Sequence, residues 1–172
     1  MFSTQDTIVA IATPPGRGGL GVIRISGPEC QKVSGLILEQ AHELQPRHAT
    51  LTRVRGVDSV IATFFVAPQS YTGEDVVEIS AHGSPVVLQE IVQAAQVAGA
   101  RLAEPGEFTL RAFLHGRIDL VQAEAVGDII NAVTPLQART AFDQLEGTLT
   151  RRIREIDAAL FDLVARLESS LD

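Results

Sequence analysis

The sequence predicts an α+β fold that continues into a long helical arm, and three observations support this prediction. Short apolar runs rich in β-branched residues, which are typical of strands, recur as far as Ser80. Capping residues next to proline, which are typical of helix starts, lie between these runs and after them. Beyond residue 118 only helix signals remain. We therefore expect an α+β domain over residues 1–118 and the start of a helical domain over residues 119–172.

Size and composition restrict the class of protein. A chain of 172 residues with 45% apolar residues suits one compact domain plus an appendage. The net charge of −7 argues against a dominant nucleic-acid groove, and the single cysteine, Cys30, excludes an internal disulfide. The N-terminal residues lack the basic region of a signal peptide, and no stretch reaches the roughly 20 apolar residues of a membrane span. We expect a cytoplasmic protein with no membrane partner.

The first elements surround a glycine-rich segment. Thr7–Ala12 is almost entirely apolar or β-branched, which predicts a buried strand, and Val22–Ser26 predicts the next strand. Four glycines and two prolines within residues 13–21 predict an irregular connection between them. Gly27-Pro28 predicts the start of a helix, because a proline at the first helical position loses no hydrogen bond; this helix should reach about Gln40.

Three further strands are predicted in the middle of the chain. Residues 49–54 and 60–67 have the composition of strands and are close enough in sequence to form a hairpin. A loop over residues 68–74 leads to the strand Asp75–Ser80. Ser84-Pro85 then predicts a helix with serine as its cap, which should end at Gly99.

Shorter elements close the first domain and lead into the helical part. Residues 101–103 predict a short strand, and Phe108–His115 predicts a helix closed by Gly116. Asp119 and Gln122 have the spacing of a capping box, and Thr134-Pro135 predicts another helix start.

The last predicted helix is unusually long. It should run for about 36 residues, or roughly 54 Å. Its apolar residues recur in steps of three and four, which predicts one continuous apolar stripe that must pack on another surface. We expect that this surface is either a second copy of the helix or helices missing from this chain. Because the stripe still continues at Asp172, we expect the chain to be a fragment of a longer protein. The stripe consists of Phe142, Leu145, Leu149, Ile153, Ile156, Leu160, Leu163, Leu167 and Leu171.

Two strands each carry one charged residue among apolar neighbours. Arg24 stands between Ile23 and Ile25, and Glu78 stands between Val77 and Ile79. Because successive side chains of a strand point to opposite faces, Arg24 and Glu78 should lie on the face opposite their apolar neighbours. A charge kept in such a place is either paired or used. The residues alone leave two interpretations open, a structural salt bridge between neighbouring strands and a site for a planar polar ligand.

Other candidate residues carry weaker signals. The glycine-rich segment lacks the lysine of a Walker loop and leads into a strand, which favours a tight connection over a ligand-lining loop. His82 beside a helix start is more typical of a turn or cap residue than of a catalyst. By itself, Arg117 suits a solvated or helix-capping arginine, and the arginines at 151, 152 and 154 suit a solvated helix face. No spacing of histidines and cysteine predicts a metal site, and no catalytic residue is identified.

Three ordered blocks of sequence resemble the MnmE (TrmE) family of tRNA-modification GTPases. The first runs from Asp6 to Gly27 and contains Thr13-Pro14-Pro15-Gly16 and Arg24-Ile25-Ser26-Gly27. The second is Ser70-Tyr71-Thr72-Gly73-Glu74-Asp75-Val76-Val77-Glu78-Ile79, followed by His82-Gly83. The third joins Pro105-Gly106-Glu107-Phe108-Thr109-x-Arg111-Ala112-Phe113-Leu114 to Asp119-Leu120-x-Gln122-Ala123-Glu124-Ala125.

The resemblance implies a fold and a set of ligands. It implies an N-terminal domain similar to the folate-binding part of glycine-cleavage aminomethyltransferases, which binds a tetrahydrofolate such as the 5-formyl or 5,10-methylene derivative and forms a homodimer. It further implies that the full protein, with an FAD-dependent MnmG-type partner, adds an aminomethyl or carboxymethylaminomethyl group to the wobble uridine of tRNA. GTP, magnesium and potassium belong to a GTPase domain that is absent from this sequence. The chain alone is therefore not expected to hydrolyse GTP.

The folate-contacting positions of the family correspond to Arg24, Glu78 and Arg117. The third is often lysine in the family, so arginine keeps the charge and changes the geometry. A pterin presents a two-donor edge that a carboxylate accepts in a bidentate way, which suits Glu78, and its acceptor groups or glutamate tail suit Arg24 and Arg117. Two alternatives remain, a freestanding folate-dependent aminomethyltransferase and a pure dimerisation module in which Arg24 and Glu78 form a structural bridge.

Overall fold

The structure is a computed structural model that describes residues 5–39 and 43–169. It divides into two compact units, which meet in sequence between Arg117 and Ile118. The first unit is a mixed structure of sheet and helices, and the second is helical. None of the helices in the described ranges is both long enough and apolar enough to serve as a membrane span.

The first unit is built on a six-stranded sheet with the order β3-β4-β5-β2-β1-β6. Neighbouring strands are antiparallel, except that β6 runs parallel to β1. The strands are β1 (Ile8–Ile11), β2 (Gly18–Ser26), β3 (Thr50–Val54), β4 (Asp58–Phe65), β5 (Val76–Gly83) and β6 (Arg101–Leu102). The helices of this unit are α1 (Cys30–Ile37), α2 (Pro85–Val97) and α3 (Glu107–Leu114). The predicted hairpin is confirmed as β3 and β4.

The two faces of the sheet differ in chemistry. On one face, Ile23 and Ile25 of β2 and Val77 and Ile79 of β5 are fully buried, and they share one apolar core with side chains of α1 and α2. The opposite face carries the half-buried Arg24. This arrangement confirms the alternation predicted from the sequence, and it places the charged side chains away from the core.

The second strand begins earlier than the sequence predicts. Residues 18–21 were expected to be irregular, and they instead form the start of β2, with a shift of register between Gly18 and Gly21. The glycine at position 83 of β5 allows the two strands to approach this closely. A Cβ there would lie 2.7 Å from the carbonyl oxygens of both Gly18 and Leu20. The expectation of a wholly irregular segment over residues 13–21 was therefore wrong for its second half.

The first helix is shorter than predicted. It begins at Cys30 after the N-cap Glu29, so Pro28 precedes the helix instead of occupying its first position. It ends at Ile37 because Leu38 is extended and forms a bridge with Val54 of β3. The predicted end near Gln40 lies outside the described residues.

The helical unit contains α4 (Leu120–Ile130), α5 (Pro135–Leu145) and α6 (Thr148–Ser169). Both predicted starts are confirmed as complete capping boxes, at Asp119 with Gln122 and at Thr134 with Gln137. In each box the side chain of the cap residue accepts a hydrogen bond from the backbone N–H of the glutamine. The side chain of that glutamine accepts one from the backbone N–H of the cap residue.

The predicted helix of about 36 residues was wrong, because it is interrupted. Gly147 has a φ of +75°, a left-handed conformation that ends a helix. The Gln122 side chain of α4 donates to the carbonyl of Leu145 at 2.7 Å and satisfies a group that a continuous helix would use itself. The residues of α6 are exposed or half-buried along its whole length, including the part of the apolar stripe from Leu149 to Leu167.

Candidate functional site

Arg24 and Glu78 form an ion pair on the open face of the sheet. They are direct partners in the antiparallel register of β2 and β5, which brings their side chains together. Arg24 Nε donates to Glu78 Oε1 at 2.9 Å, and Nη2 lies 2.8 Å from the same oxygen. The side chains keep 21% and 28% of their surface exposed, so both remain accessible from one side.

The pair leaves part of each group unused. Within the described ranges, Glu78 Oε2 receives no hydrogen bond, and Arg24 Nη1 donates none. A carboxylate accepts at two oxygens and a guanidinium has five N–H donors, so this contact occupies only part of their capacity. The free oxygen and the free nitrogen can bind polar groups of a ligand without separation of the two side chains.

Two aromatic rings cover the Arg24 guanidinium, and we call them the aromatic cover. Arg24 Cζ lies 4.5 Å from the centroid of the Tyr71 ring and 5.6 Å from that of Phe108. These distances suit cation–π contacts. The Tyr71 hydroxyl is hydrogen bonded to the Thr109 hydroxyl at 2.9 Å, which joins the loop before β5 to α3.

Arg117 lies against the same loop. Its Nε donates to the Ser70 carbonyl oxygen at 3.2 Å. Gly73 has a φ of +80°, and a Cβ there would lie 2.9 Å from Arg117 Cγ, so glycine allows the arginine stem to pass closely. Among the residues that the structure describes, Arg117 bonds neither Arg24 nor Glu78. The structure therefore brings Arg24 and Glu78 into contact and connects Arg117 to them only through the loop that carries Tyr71.

An ionic cluster centred on the buried Glu107 and Arg111 lies beside this loop, and its other members are Asp6, Glu74 and Arg101. Arg111 is only 1% exposed and donates from Nη2 to Asp6 Oδ1 at 2.6 Å and to Glu107 Oε1 at 3.0 Å. Its Nη1 lies 3.2 Å from Glu74 Oε1. Arg101 completes the cluster through a two-point contact with Glu107 and a 2.7 Å bond to Asp6. Three carboxylates thus surround two guanidinium groups.

The cluster shifts the acidity of its members. Hydrogen bonds from Arg101, and then from Arg111, lower the pKa of Asp6 despite its partial burial. Burial alone would raise the pKa of Glu107, but hydrogen bonds from Arg101, the Glu104 backbone and Arg111 outweigh it and lower the pKa. Both carboxylates therefore stay ionised at neutral pH.

The remaining candidate residues lie outside the ion pair of Arg24 and Glu78, and each has its own local contacts. The glycine-rich segment joins antiparallel strands β1 and β2, and it also lines a cavity together with Gly83 and Leu88. His82 is at the end of β5, and its Nδ1 lies 2.8 Å from Asp58 Oδ1. Burial raises the pKa of the Cys30 thiol to about 12, which makes it unreactive. Within the described residues, no group of three or more potential metal ligands is present. The arginines at 151, 152 and 154 are exposed.

The sequence did not identify Tyr71, Phe108 or the ionic cluster. Most of their contacts join segments far apart in the chain, which local spacing does not predict. The i,i+4 pair of Glu107 and Arg111 is the exception, since its spacing is that of a helical ion pair. A signal was nevertheless present, because Tyr71, Glu74, Glu107, Phe108 and Arg111 all lie in the second and third motif blocks.

Two models of known protein families match the chain, and together they cover most of it. A family model described as "GTP-binding protein TrmE N-terminus" matches residues 7–117, which is more than half of the chain. The chain belongs to this family. A second model, described as "MnmE helical domain", matches residues 120–172. The resemblance to the MnmE (TrmE) family seen in the motifs is thereby confirmed.

Curated relatives in this family are longer than the chain. The proteins named "tRNA modification GTPase MnmE" from Koribacter versatilis and Nitrosospira multiformis are each 49% identical to it over 180 residues. The protein of the same name from Legionella pneumophila (strain Corby) is 48% identical over 172 residues. These matches cover 97–99% of the chain but only 38–40% of the relatives. The chain therefore spans about two fifths of their length.

Proposed function

We propose that the chain is the N-terminal part of a tRNA-modification GTPase and that its first domain binds a tetrahydrofolate. In this proposal, residues 1–118 form a folate-binding and dimerisation domain with the fold of the aminomethyltransferase folate site. Residues 119–172 begin the helical domain. Family membership supports the assignment, and the half-used ion pair of Arg24 and Glu78 is the observation that supports the ligand.

The chemistry of Glu78 fits one edge of a pterin. A 2-amino group beside a ring N–H offers two donors that point the same way, and a carboxylate can accept both. Glu78 offers its free Oε2 for this purpose, whereas Oε1 is already contacted by both Nε and Nη2 of Arg24. Its half-exposed position on the open face of the sheet lets a flat ring approach, and the tetrahydrofolate, as the 5-formyl or 5,10-methylene derivative, supplies the one-carbon unit.

The two arginines are assigned to the acceptor groups of the ligand. Arg24 has a free Nη1 and is fixed by Glu78 and the aromatic cover, so it can donate without rearrangement. Arg117 is anchored through Nε, which leaves the end of its guanidinium for a carbonyl or for the carboxylates of the glutamate tail. A guanidinium suits both groups because its donors form a rigid fork.

The names and lengths of the relatives support a proposal for the activity of the full protein. We propose that it hydrolyses GTP, with magnesium and potassium, in a GTPase domain outside these 172 residues. With an FAD-dependent MnmG-type partner it would add an aminomethyl or carboxymethylaminomethyl group to the wobble uridine of tRNA. The flavin partner would perform the redox steps. The chain itself contributes the one-carbon donor site and the dimer.

Calorimetry with 5-formyltetrahydrofolate tests the site. Glu78→Gln keeps the shape of the side chain but replaces one acceptor by a donor, which opposes a two-donor edge. We expect the affinity to fall about tenfold to a hundredfold, since hydrogen bonds to a charged group contribute about 1.5–3 kcal/mol. Glu29→Gln makes the same change at an exposed ion pair of α1 and should leave the affinity unchanged. Equal affinities of the two variants would remove Glu78 from the site.

A pure dimerisation module is a second candidate, because Arg24 and Glu78 bond each other directly at 2.8 Å. If the pair is only structural, the double variant Arg24→Gln with Glu78→Gln should fold and dimerise normally, and the wild-type chain should not bind folate. Folate binding by the wild type that is lost in a folded double variant contradicts this candidate.

A further inference from the structure

The two segments that form the aromatic cover meet at the ionic cluster. Tyr71 lies in the loop that ends at Glu74, and Phe108 follows Glu107 at the start of α3. Arg111, one helical turn after Glu107, bonds both carboxylates, so a single guanidinium joins the loop to the helix. Each ring over Arg24 is therefore three residues or fewer from a direct partner of Arg111.

The loop is also anchored to the strand that carries Arg24. Ser26, two residues after Arg24 on β2, donates from Oγ to Glu74 Oε2 at 2.7 Å. The same hydroxyl is 2.7 Å from Thr72 Oγ1. These contacts lie on both sides of Gly73 and directly after Tyr71. The position of the Tyr71 ring thus depends on Glu74, which binds β2 through Ser26 and α3 through Arg111.

We propose that Arg111 and Glu74 are positioning residues that hold the aromatic cover over Arg24 and so prepare the ligand site. This inference depends on the proposed folate site for its consequence, but not for its geometry. The guanidinium fork fixes the directions of several bonds at once, and an apolar contact in the same place would leave the loop free to slide. Buried ion pairs add little net stability, and their best-attested role is to specify one arrangement.

The sequence provides a probe for this arrangement. Tyr71 is the only tyrosine, and the chain contains no tryptophan, so its near-ultraviolet emission comes from the ring over Arg24. Quenching of this emission by acrylamide measures how accessible the ring is, and it needs no ligand. Arg111→Lys keeps the charge but removes the fork, and Glu74→Gln keeps the shape but removes the charge. Glu29→Gln is the matched control, because it changes an exposed glutamate that touches neither the cover nor the cluster.

We expect Arg111→Lys and Glu74→Gln to raise the quenching constant of Tyr71 about twofold or more while far-ultraviolet circular dichroism stays unchanged. The affinity for 5-formyltetrahydrofolate should fall about tenfold, because the site is no longer preorganised. Glu29→Gln should change neither value. If Arg111→Lys fails to fold, Glu74→Gln decides the test, since its side chain retains the acceptor for Ser26.

The outcomes separate the two proposals. Quenching equal to wild type in a folded Glu74→Gln variant overturns the positioning role, whatever the chain binds. A raised quenching constant together with unchanged folate affinity also overturns it, because the cover would then be irrelevant to the site. A raised quenching constant in a chain whose wild type binds no folate keeps the geometric inference and refutes the folate site instead.

Discussion

Two arginines of the sheet unit have opposite surroundings. Arg111 is almost completely buried and contacts three carboxylates, whereas Arg24 keeps a fifth of its side chain exposed and contacts one carboxylate oxygen. A buried guanidinium needs this many partners to compensate for lost hydration. An exposed guanidinium that retains free donors is better suited to a ligand. The contrast supports our proposal that Arg24 belongs to the ligand site, with Arg111 as part of the scaffold.

Glu107 should make the stability of the sheet unit dependent on pH. Its pKa is lowered in the folded state, so the unfolded chain takes up the proton first as the pH falls. The stability due to ionised Glu107 is therefore fully present above its ordinary pKa of about 4.3 and is lost as the pH falls through the lowered value. Glu107→Gln should cost about 3–5 kcal/mol at neutral pH, because two arginines lose a buried partner.

Urea unfolding followed by Tyr71 emission measures this dependence in the unit that contains Glu107. The difference in unfolding free energy between wild type and Glu107→Gln should stay level near neutral pH and narrow only as the pH falls through and below the ordinary glutamate pKa of about 4.3. Glu29→Gln again serves as the control, and its small difference should stay small throughout. A gap that is constant with pH would mean that Glu107 does not titrate at a lowered pKa.

At the residue level, the sequence predicted the faces of side chains better than their partners. Alternation along β2 and β5 correctly placed Arg24 and Glu78 away from the apolar core. Arg24 and Glu78 are 54 positions apart in the sequence. Their pairing depends on the register of β2 against β5, which alternation within each strand does not predict. The aromatic cover over Arg24 could not be predicted for the same reason, since Tyr71 lies in the loop before β5 and Phe108 lies in α3.

At the level of elements, two glycines in similar sequence contexts have different positions relative to the helices. Gly127 lies inside α4, whereas Gly147 ends α5 and separates it from α6. Both stand in apolar patterns of helical period, so local propensity treats them alike. What distinguishes Gly147 is a contact from another helix, the bond of Gln122 to the Leu145 carbonyl. Capping boxes were predictable because their partners are three residues apart.

A second prediction concerns the approach of β2 to β5. Gly83→Ala would place a Cβ 2.7 Å from two backbone oxygens, which cannot move without distortion of the register shift in β2. We expect the free energy of unfolding to fall by about 1–3 kcal/mol. Gly35→Ala is the matched control: at this exposed position of α1 the added Cβ meets open space, and stability should rise by about 0.5–1 kcal/mol. Thermal unfolding of both variants beside wild type gives the comparison, and equal or reversed shifts would contradict the close approach.

At the scale of the whole molecule, both units carry exposed apolar residues. In the sheet unit, Leu20 and Leu51 are exposed, and in α6 the stripe from Leu149 to Leu167 is open along its length. A continuous apolar stripe such as that of α6 is typical of contacts with another chain or segment. The two surfaces make different predictions about self-association, because only the first belongs to the proposed dimerisation domain.

We expect the chain to sediment as a dimer held by the sheet unit. The double variant Ile156→Glu with Leu160→Glu places two charges in the middle of the α6 stripe, where no residue is buried in the described structure. If the sheet unit forms the interface, sedimentation velocity should give the same dimer for the variant and for wild type over a range of concentrations. Dissociation of the variant alone would place the interface on α6, because charges buried in an apolar contact are strongly unfavourable. A wild-type chain that sediments as a monomer at micromolar concentration would refute dimerisation by either surface.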